Sequence, residues 1–188
     1  MSSTTRSISR PAPPAAVPTD TGRWIVATGL AVGIVLGIGG SMVNRQPTYT
    51  IAEHLSSLGM ITATTLLAIR SGREARWMIA AGFALLALAE AIILSASVNA
   101  AGEATFASGV ALYVPALLLV SLPDGLPIWS RIAGGLAAIP FAIHAGLNWV
   151  GQSPNPGGPA AAAGYVLLSV AAIGWIVHVL RNASAAMR

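Results

Sequence analysis

The chain contains no cysteine and no lysine, and only 9% of its 188 residues are charged. Without cysteine there can be no disulfide, no thiolate metal site, no iron–sulfur cluster and no thiol chemistry. A soluble domain devotes roughly a quarter of its residues to charge. The scarcity of charge, beside 55% apolar residues and a mean hydropathy of +0.73, therefore excludes an ordinary soluble domain. The composition is that of an integral membrane protein. Also missing are the phosphate-binding G-x-x-x-x-G-K-[ST], the H-E-x-x-H zinc motif, any carboxylate cluster and any Ser/His/Asp set that a helical topology would join. His54, His144 and His178 fall at different heights, so no shared metal site or bis-histidine haem pair is expected. No catalytic residue, metal or cofactor is assigned.

What is present is a series of apolar runs. A transmembrane helix needs about 20 mostly apolar residues to cross roughly 30 Å of hydrocarbon. Six segments qualify: 24–43, 54–70, 77–97, 106–122, 131–150 and 160–180. The second is diluted by Thr62, Thr64 and Thr65. The connections between them are short, so sequential helices should pack antiparallel. The expected architecture is all-α, a polytopic bundle of six transmembrane helices over residues 23–181. Residues 1–22, with four prolines and several Ser and Thr, read as a disordered tail. Residues 182–188 read as a second short tail. The first apolar run is longer than the 7–15 residues of a signal h-region, so it reads as an uncleaved span.

Arginine sets the orientation. With six spans, Arg6, Arg10, Arg23, Arg70, Arg73, Arg76, Arg131, Arg181 and Arg188 share one side, and Arg45 alone falls on the other. Nine of the ten basic residues on one side is the positive-inside pattern for cytoplasmic N- and C-termini. The pI near 10.7 is then a topology signal, with attraction to anionic lipid as its side effect. Nucleic acid is not an expected partner. All-Arg basicity with abundant Ala and Gly resembles coding from a GC-rich genome, which makes a bacterial plasma (inner) membrane the expected location.

Trp24, Trp77 and Trp129 open the three outward-going helices in similar contexts, "WIVATG", "WMIAAG" and "WSRIAGG". An aromatic belt at one interface explains them more simply than a threefold repeat of a two-helix hairpin. Trp149 fits the opposite belt, and Trp175 lies deeper. Gly29, Gly33 and Gly37 recur at four-residue spacing in the first helix, and small residues so placed let another backbone approach closely. Ala80, Ala84, Ala87 and Ala91 give the third helix a comparable small face. Either face would serve internal packing, a homo-oligomer or a membrane-protein partner, and internal packing is the expected use.

One carboxylate interrupts the apolar run "FALLALAEAIILSAS". A charge at mid-membrane costs about 2.5–3.5 kcal/mol on insertion scales, so Glu90 should face the bundle interior and be protonated, paired or hydrated there. It lies 13 residues beyond Trp77, about 20 Å from the cytoplasmic interface. His144 sits at nearly that height on the fifth helix. Thr62, Tyr113 and Ser169 reach the same layer, while Tyr165 and Asn148 lie nearer the outer surface. Pro115 and Pro140 free the carbonyls of Ala111 and Leu136. The polar groups thus collect in the outer half of the membrane, where an outward-facing pocket around Glu90 and His144 is expected.

Three functions compete for such a pocket. It could bind or pass a small neutral or weakly polar solute, with Glu90 binding, gating or relaying a proton. The chain could instead be a structural or accessory subunit of a membrane assembly, with its Gly and Ala faces as binding surfaces. An intramembrane lipid-modifying enzyme using Glu90 as acid–base ranks last, because one carboxylate with one candidate partner is thin for catalysis. The solute reading ranks first.

Overall fold

The computed structural model describes residues 19–41, 48–98, 102–152 and 158–185. These form six helices: α1 (Thr19–Ser41), α2 (Thr48–Arg73), α3 (Trp77–Val98), α4 (Gly102–Ser121), α5 (Ile128–Trp149) and α6 (Pro159–Ala185). Five of them, all but α2, are long and apolar enough to cross a membrane.

The reason α2 differs is visible in its faces. It has 26 residues and is about 39 Å long, so length is not the obstacle. Glu53, Ser57, Met60, Thr64, Leu67 and Ser71 follow one another at the spacing of a single helical face. From Ser57 onward every one of them is buried. A half-polar stripe therefore points inward and, with the exposed Thr62 and Thr65, lowers the helix's mean hydropathy. The hydroxyl of Thr64 is satisfied within its own helix by the Met60 carbonyl at 2.7 Å.

Several boundaries differ from those the sequence suggests. Helix α1 begins at Thr19, so residues 19–22 are helical rather than part of a tail; residues 1–18 lie outside the described set. Helix α2 reaches beyond 54–70 at both ends, which brings Glu53 onto it. Helix α6 continues through "RNASA" to Ala185, beyond the expected limit at 181. Arg45 lies outside the described residues.

Each helix packs against the next in sequence, and α1 packs against α6 over the shortest seam, so the six form a closed ring. Every connection reverses the chain. One end of the ring therefore carries the α2–α3 and α4–α5 turns with Arg70, Arg73, Arg76 and Arg131, and is called the arginine end below; the opposite is the far end. Aromatic side chains fill the axis. Near the arginine end Phe83 meets Trp175 edge-on, with ring centroids 5.1 Å apart, joining α3 to α6 across the ring. Trp24, Trp77, Trp129 and Trp149 are exposed near helix ends, whereas Trp175 is 1% exposed.

The α1–α2 seam is built on glycine. A Cβ on Gly29 would lie 2.8 Å from the Gly59 carbonyl, and one on Gly59 would lie 2.7 Å from the Gly29 carbonyl. Gly33 and Gly37 continue the seam against Met60 and Ser56, and Ser56 donates a 2.7 Å hydrogen bond to the Gly33 carbonyl. The α1 glycines thus face α2 inside one chain. The alanine face of α3 is different. Ala84 and Ala91 are exposed, and Ala80 and Ala87 are half-buried. Packing falls instead to Ile79, Gly82, Phe83, Leu86, Ala89 and Ile93, because Gly82 brings α3 within reach of the Ala116 carbonyl of α4.

Candidate functional site

Glu90 lies on the buried face of α3, one turn beyond Leu86. Its neighbours come from both flanking helices. Tyr113 of α4 donates a short hydrogen bond to Glu90 Oε1, and Ser57 of α2 is hydrogen-bonded to the same carboxyl. Tyr113 is in turn hydrogen-bonded to Tyr165 of α6, whose ring stands edge-on at 6.1 Å. A chain of oxygen atoms, Ser57–Glu90–Tyr113–Tyr165, therefore crosses the ring from α2 to α6.

Helix α5 contributes the wall. Phe141 stacks on Tyr113 at 4.7 Å and 26° and meets Tyr165 edge-on at 5.2 Å. The tyrosine is held on one side by an aromatic face and at its hydroxyl by two polar partners. Fixing the ring this way aims its O–H at the carboxyl without further loss of side-chain entropy. Tyr113 and Phe141 are fully buried, and Glu90 is 6% exposed.

The other residues singled out from sequence fall elsewhere. His144 is buried, but its ring meets Phe106 of α4 at 5.8 Å, and its Nδ1 has no hydrogen-bond partner. The ring order sets α4 between α3 and α5. No hydrogen bond or ion pair joins Glu90 to His144 among the described residues; α4 offers Tyr113 to one and Phe106 to the other. Asn148 is half-buried in the last turn of α5, where its carbonyl accepts the Gly151 N–H at 3.0 Å. Ser169 spends its hydroxyl on the Tyr165 carbonyl at 2.8 Å. Thr62 is exposed and bonds the Leu58 carbonyl at 2.8 Å. It lines an open groove between α1 and α2 with Trp24, Ile25, Leu55 and Leu58, outside the ring.

Two members of the cluster's surroundings went unremarked in the sequence. Ser57 touches Glu90 directly, and Glu53, one turn nearer the far end of α2, acts on it electrostatically. The signal was there: Glu53, Ser57, Thr64 and Ser71 recur on one helical face. It is obscured because the apolar run starts only at residue 54 and the hydroxyls of α2 lower its hydropathy.

The arginine end has its own fixed geometry. Helix α2 closes with Ala75 N–H donating to the Gly72 carbonyl at 3.1 Å and Arg76 N–H to the Ser71 carbonyl at 2.9 Å. That pair of bonds makes a Schellman motif with Ala75 in the left-handed region at φ 57. Glu74 bridges Arg70 at 2.9 Å and Arg76 at 3.0 Å. Partial burial pushes the Glu74 carboxyl up, but the two guanidiniums outweigh it and hold the group below the usual carboxylate range. Arg131 closes α4 by donating to the Ser121 carbonyl at 2.8 Å and the Leu122 carbonyl at 2.7 Å, satisfying acceptors that a helix end otherwise leaves bare.

Among the described residues no group of three or more His, Asp or Glu is arranged to hold a metal ion. The chain matches no family model, no curated protein and no solved structure.

Proposed function

We propose that this is a six-span protein of a bacterial plasma membrane, with both termini cytoplasmic, that binds or passes a small neutral or weakly polar solute at the Glu90 cluster. Five helices able to cross a membrane support the membrane assignment, and the clustering of arginine at one end supports the orientation. The observation that carries the functional reading is the hydrogen-bonded chain Ser57–Glu90–Tyr113–Tyr165, contributed by α2, α3, α4 and α6 around the ring axis. Each helix offers one polar group to a common centre, so relative movement of any helix changes the donors and acceptors there. A solute carrying a hydroxyl or amide group would replace the tyrosine hydroxyls one for one. His144 and Asn148 belong to the approach from the far end rather than to the cluster.

The test is solute-driven swelling of proteoliposomes for a panel of small polyols and amides. Glu90→Gln and Tyr113→Phe should each change the rate for at least one solute while leaving the vesicles' own leak unchanged. Rates identical to the native protein for every solute would remove the reading.

The accessory-subunit reading has one observation of its own. The groove between α1 and α2 is apolar and open to the bundle's outer surface, as a helix of another membrane protein would require. The lipid-modifying enzyme is least supported, since no hydrogen bond or ion pair joins Glu90 to His144 among the described residues.

A further inference from the structure

Glu90 is acted on by Tyr113, Ser57 and Glu53, and none of these carries positive charge. A carboxylate in such a place has hydroxyl donors but no counter-ion among the described residues, in surroundings where an unbalanced charge is costly. A proton restores neutrality without a cavity of its own, and the cluster is buried: Tyr113 and Phe141 are fully buried, and Ser57 is 5% exposed.

The route by which a proton would arrive is marked on α2. Glu53 lies four residues before Ser57, hence on the same face and about 6 Å nearer the far end. It is half-buried and interacts electrostatically with both Glu90 and its neighbour His54. His54 has a buried Nε2 without a hydrogen-bond partner among the described residues. From α4 the titratable group facing Glu90 is Tyr113, which leads to Tyr165 of α6. On α5, His144 is turned to Phe106. Toward the arginine end the axis is closed by the Phe83–Trp175 pair. Among the described residues the acidic side chain that acts on the cluster, Glu53, thus stands on its far-end side.

We propose that Glu90 is a proton-binding site exchanging with the far, extracytoplasmic side through Glu53 and Ser57. This rests on the solute reading above and names the ion that accompanies the solute. Glu53 as carboxylate takes a proton from outside water and becomes the neutral acid. Its O–H donates to the Ser57 oxygen as the Ser57 O–H donates to the Glu90 carboxylate. Glu53 ends as carboxylate, Ser57 is unchanged, and Glu90 holds the proton. Release retraces the same steps.

The experiment uses the full chain in proteoliposomes of uniform orientation. The protonated-carboxyl infrared band of Glu90 is identified by its loss in Glu90→Gln, then followed after an acid jump on one side. In the native protein the band should grow after a jump on the far side and stay constant after a jump on the arginine side. Glu53→Gln should slow this growth by at least about tenfold, as expected on losing a positioned proton-transfer group, and Glu53→Asp should restore most of the rate. Equal helical content of the variants is checked by circular dichroism. A band that never responds, that responds from the arginine side, or that responds at the native rate in Glu53→Gln overturns the proposal. Solute swelling measured on the same vesicles separates the two claims. Swelling that depends on Glu90 beside an unresponsive band would leave the solute reading standing and this one refuted.

Discussion

Tyr113 of α4 donates its hydroxyl proton to the carboxyl of Glu90 on α3, and the two side chains lie together at the centre of the helix ring. Helix α4 runs between α3 and α5, and its tyrosine bonds the carboxyl while the α5 histidine meets Phe106. The bond also ties the ring's polar centre to its aromatic filling, because Phe141 stacks on the same tyrosine.

That relationship predicts an asymmetry in stability. Tyr113→Phe removes a donor from a buried carboxyl and should cost about 1–3 kcal/mol, the penalty for a buried group left short of a partner. Glu90→Leu with Tyr113→Phe removes both polar ends and should cost less than the two single changes added together. The coupling, about 0.5–3 kcal/mol for groups in one network, is read from a double-mutant cycle of unfolding in mixed micelles. Strict additivity would show that the bond contributes nothing to the fold.

The α1–α2 seam makes a second prediction. Gly59→Ala places a methyl group 2.7 Å from the Gly29 carbonyl, a backbone atom that cannot swing aside, so the helices must separate. A loss of about 1–3 kcal/mol is expected from overpacking of this kind. Gly39 supplies the control on α1, since nothing lies within 4 Å of a Cβ there. Gly39→Ala should be neutral or slightly stabilising, as Ala is the better helix former. Equal effects at the two sites would mean that the seam is not close-packed.

At the end of α2, Ala75 occupies a left-handed position at φ 57, a place that glycine fills at no steric cost. Ala75→Gly should raise stability by about 1 kcal/mol, the lower part of the cost of that conformation for an L-residue. The thermal midpoint of the purified protein reports it. A lowered midpoint would mean that the methyl group makes a contact outweighing the strain.

Glu74 links stability to pH. Its carboxyl is held below the usual range by Arg70 and Arg76 against the opposing effect of partial burial. A group depressed in the folded state contributes stability that is complete above its unfolded value and is lost as pH falls through the folded one. The native protein should therefore lose stability on acidification below the ordinary carboxylate range, and Glu74→Gln should lose less. Because the Glu74 side chain is 38% exposed, solvent screens the pair and the difference should be small. It should shrink further in high salt, and a difference that grows with salt would contradict an ionic origin.

The fold's broad outline was legible because apolar length is a strong signal. Trp77 and Trp129 mark helix starts closely, and the all-helical architecture follows from the apolar runs. Glu90 was legible for the same reason, since a carboxylate in "LALAEAII" has few tolerable places. Its pairing was not. Depth along a helix can be counted from sequence, which put Glu90, Tyr113 and His144 in one layer, but the order of helices around an axis cannot. That order gave the carboxyl to Tyr113 and turned His144 to Phe106. The alanines of α3 misled because small size reads as packing in either direction; Ala84 and Ala91 look outward while Gly82 makes the contact. Ser57 and Glu53 were hidden by the polar character of α2 itself.

The standing of α2 governs topology, and accessible thiols decide it, since the chain has no cysteine of its own. Asp124 and Gln152 lie in turns at opposite ends of the ring and are both exposed. If α2 crosses with the other five helices, Gln152→Cys should react in intact cells with a thiol reagent that does not cross membranes. Asp124→Cys should react only after the cells are opened. If α2 instead stayed on one side, every later connection would change sides, so Asp124→Cys would react in intact cells and Gln152→Cys would be shielded. The arginines of the α2–α3 and α4–α5 turns would then face outward, against the charge bias that orients membrane proteins. The reversed labelling pattern would therefore overturn both the span count and the direction from which Glu90 is reached.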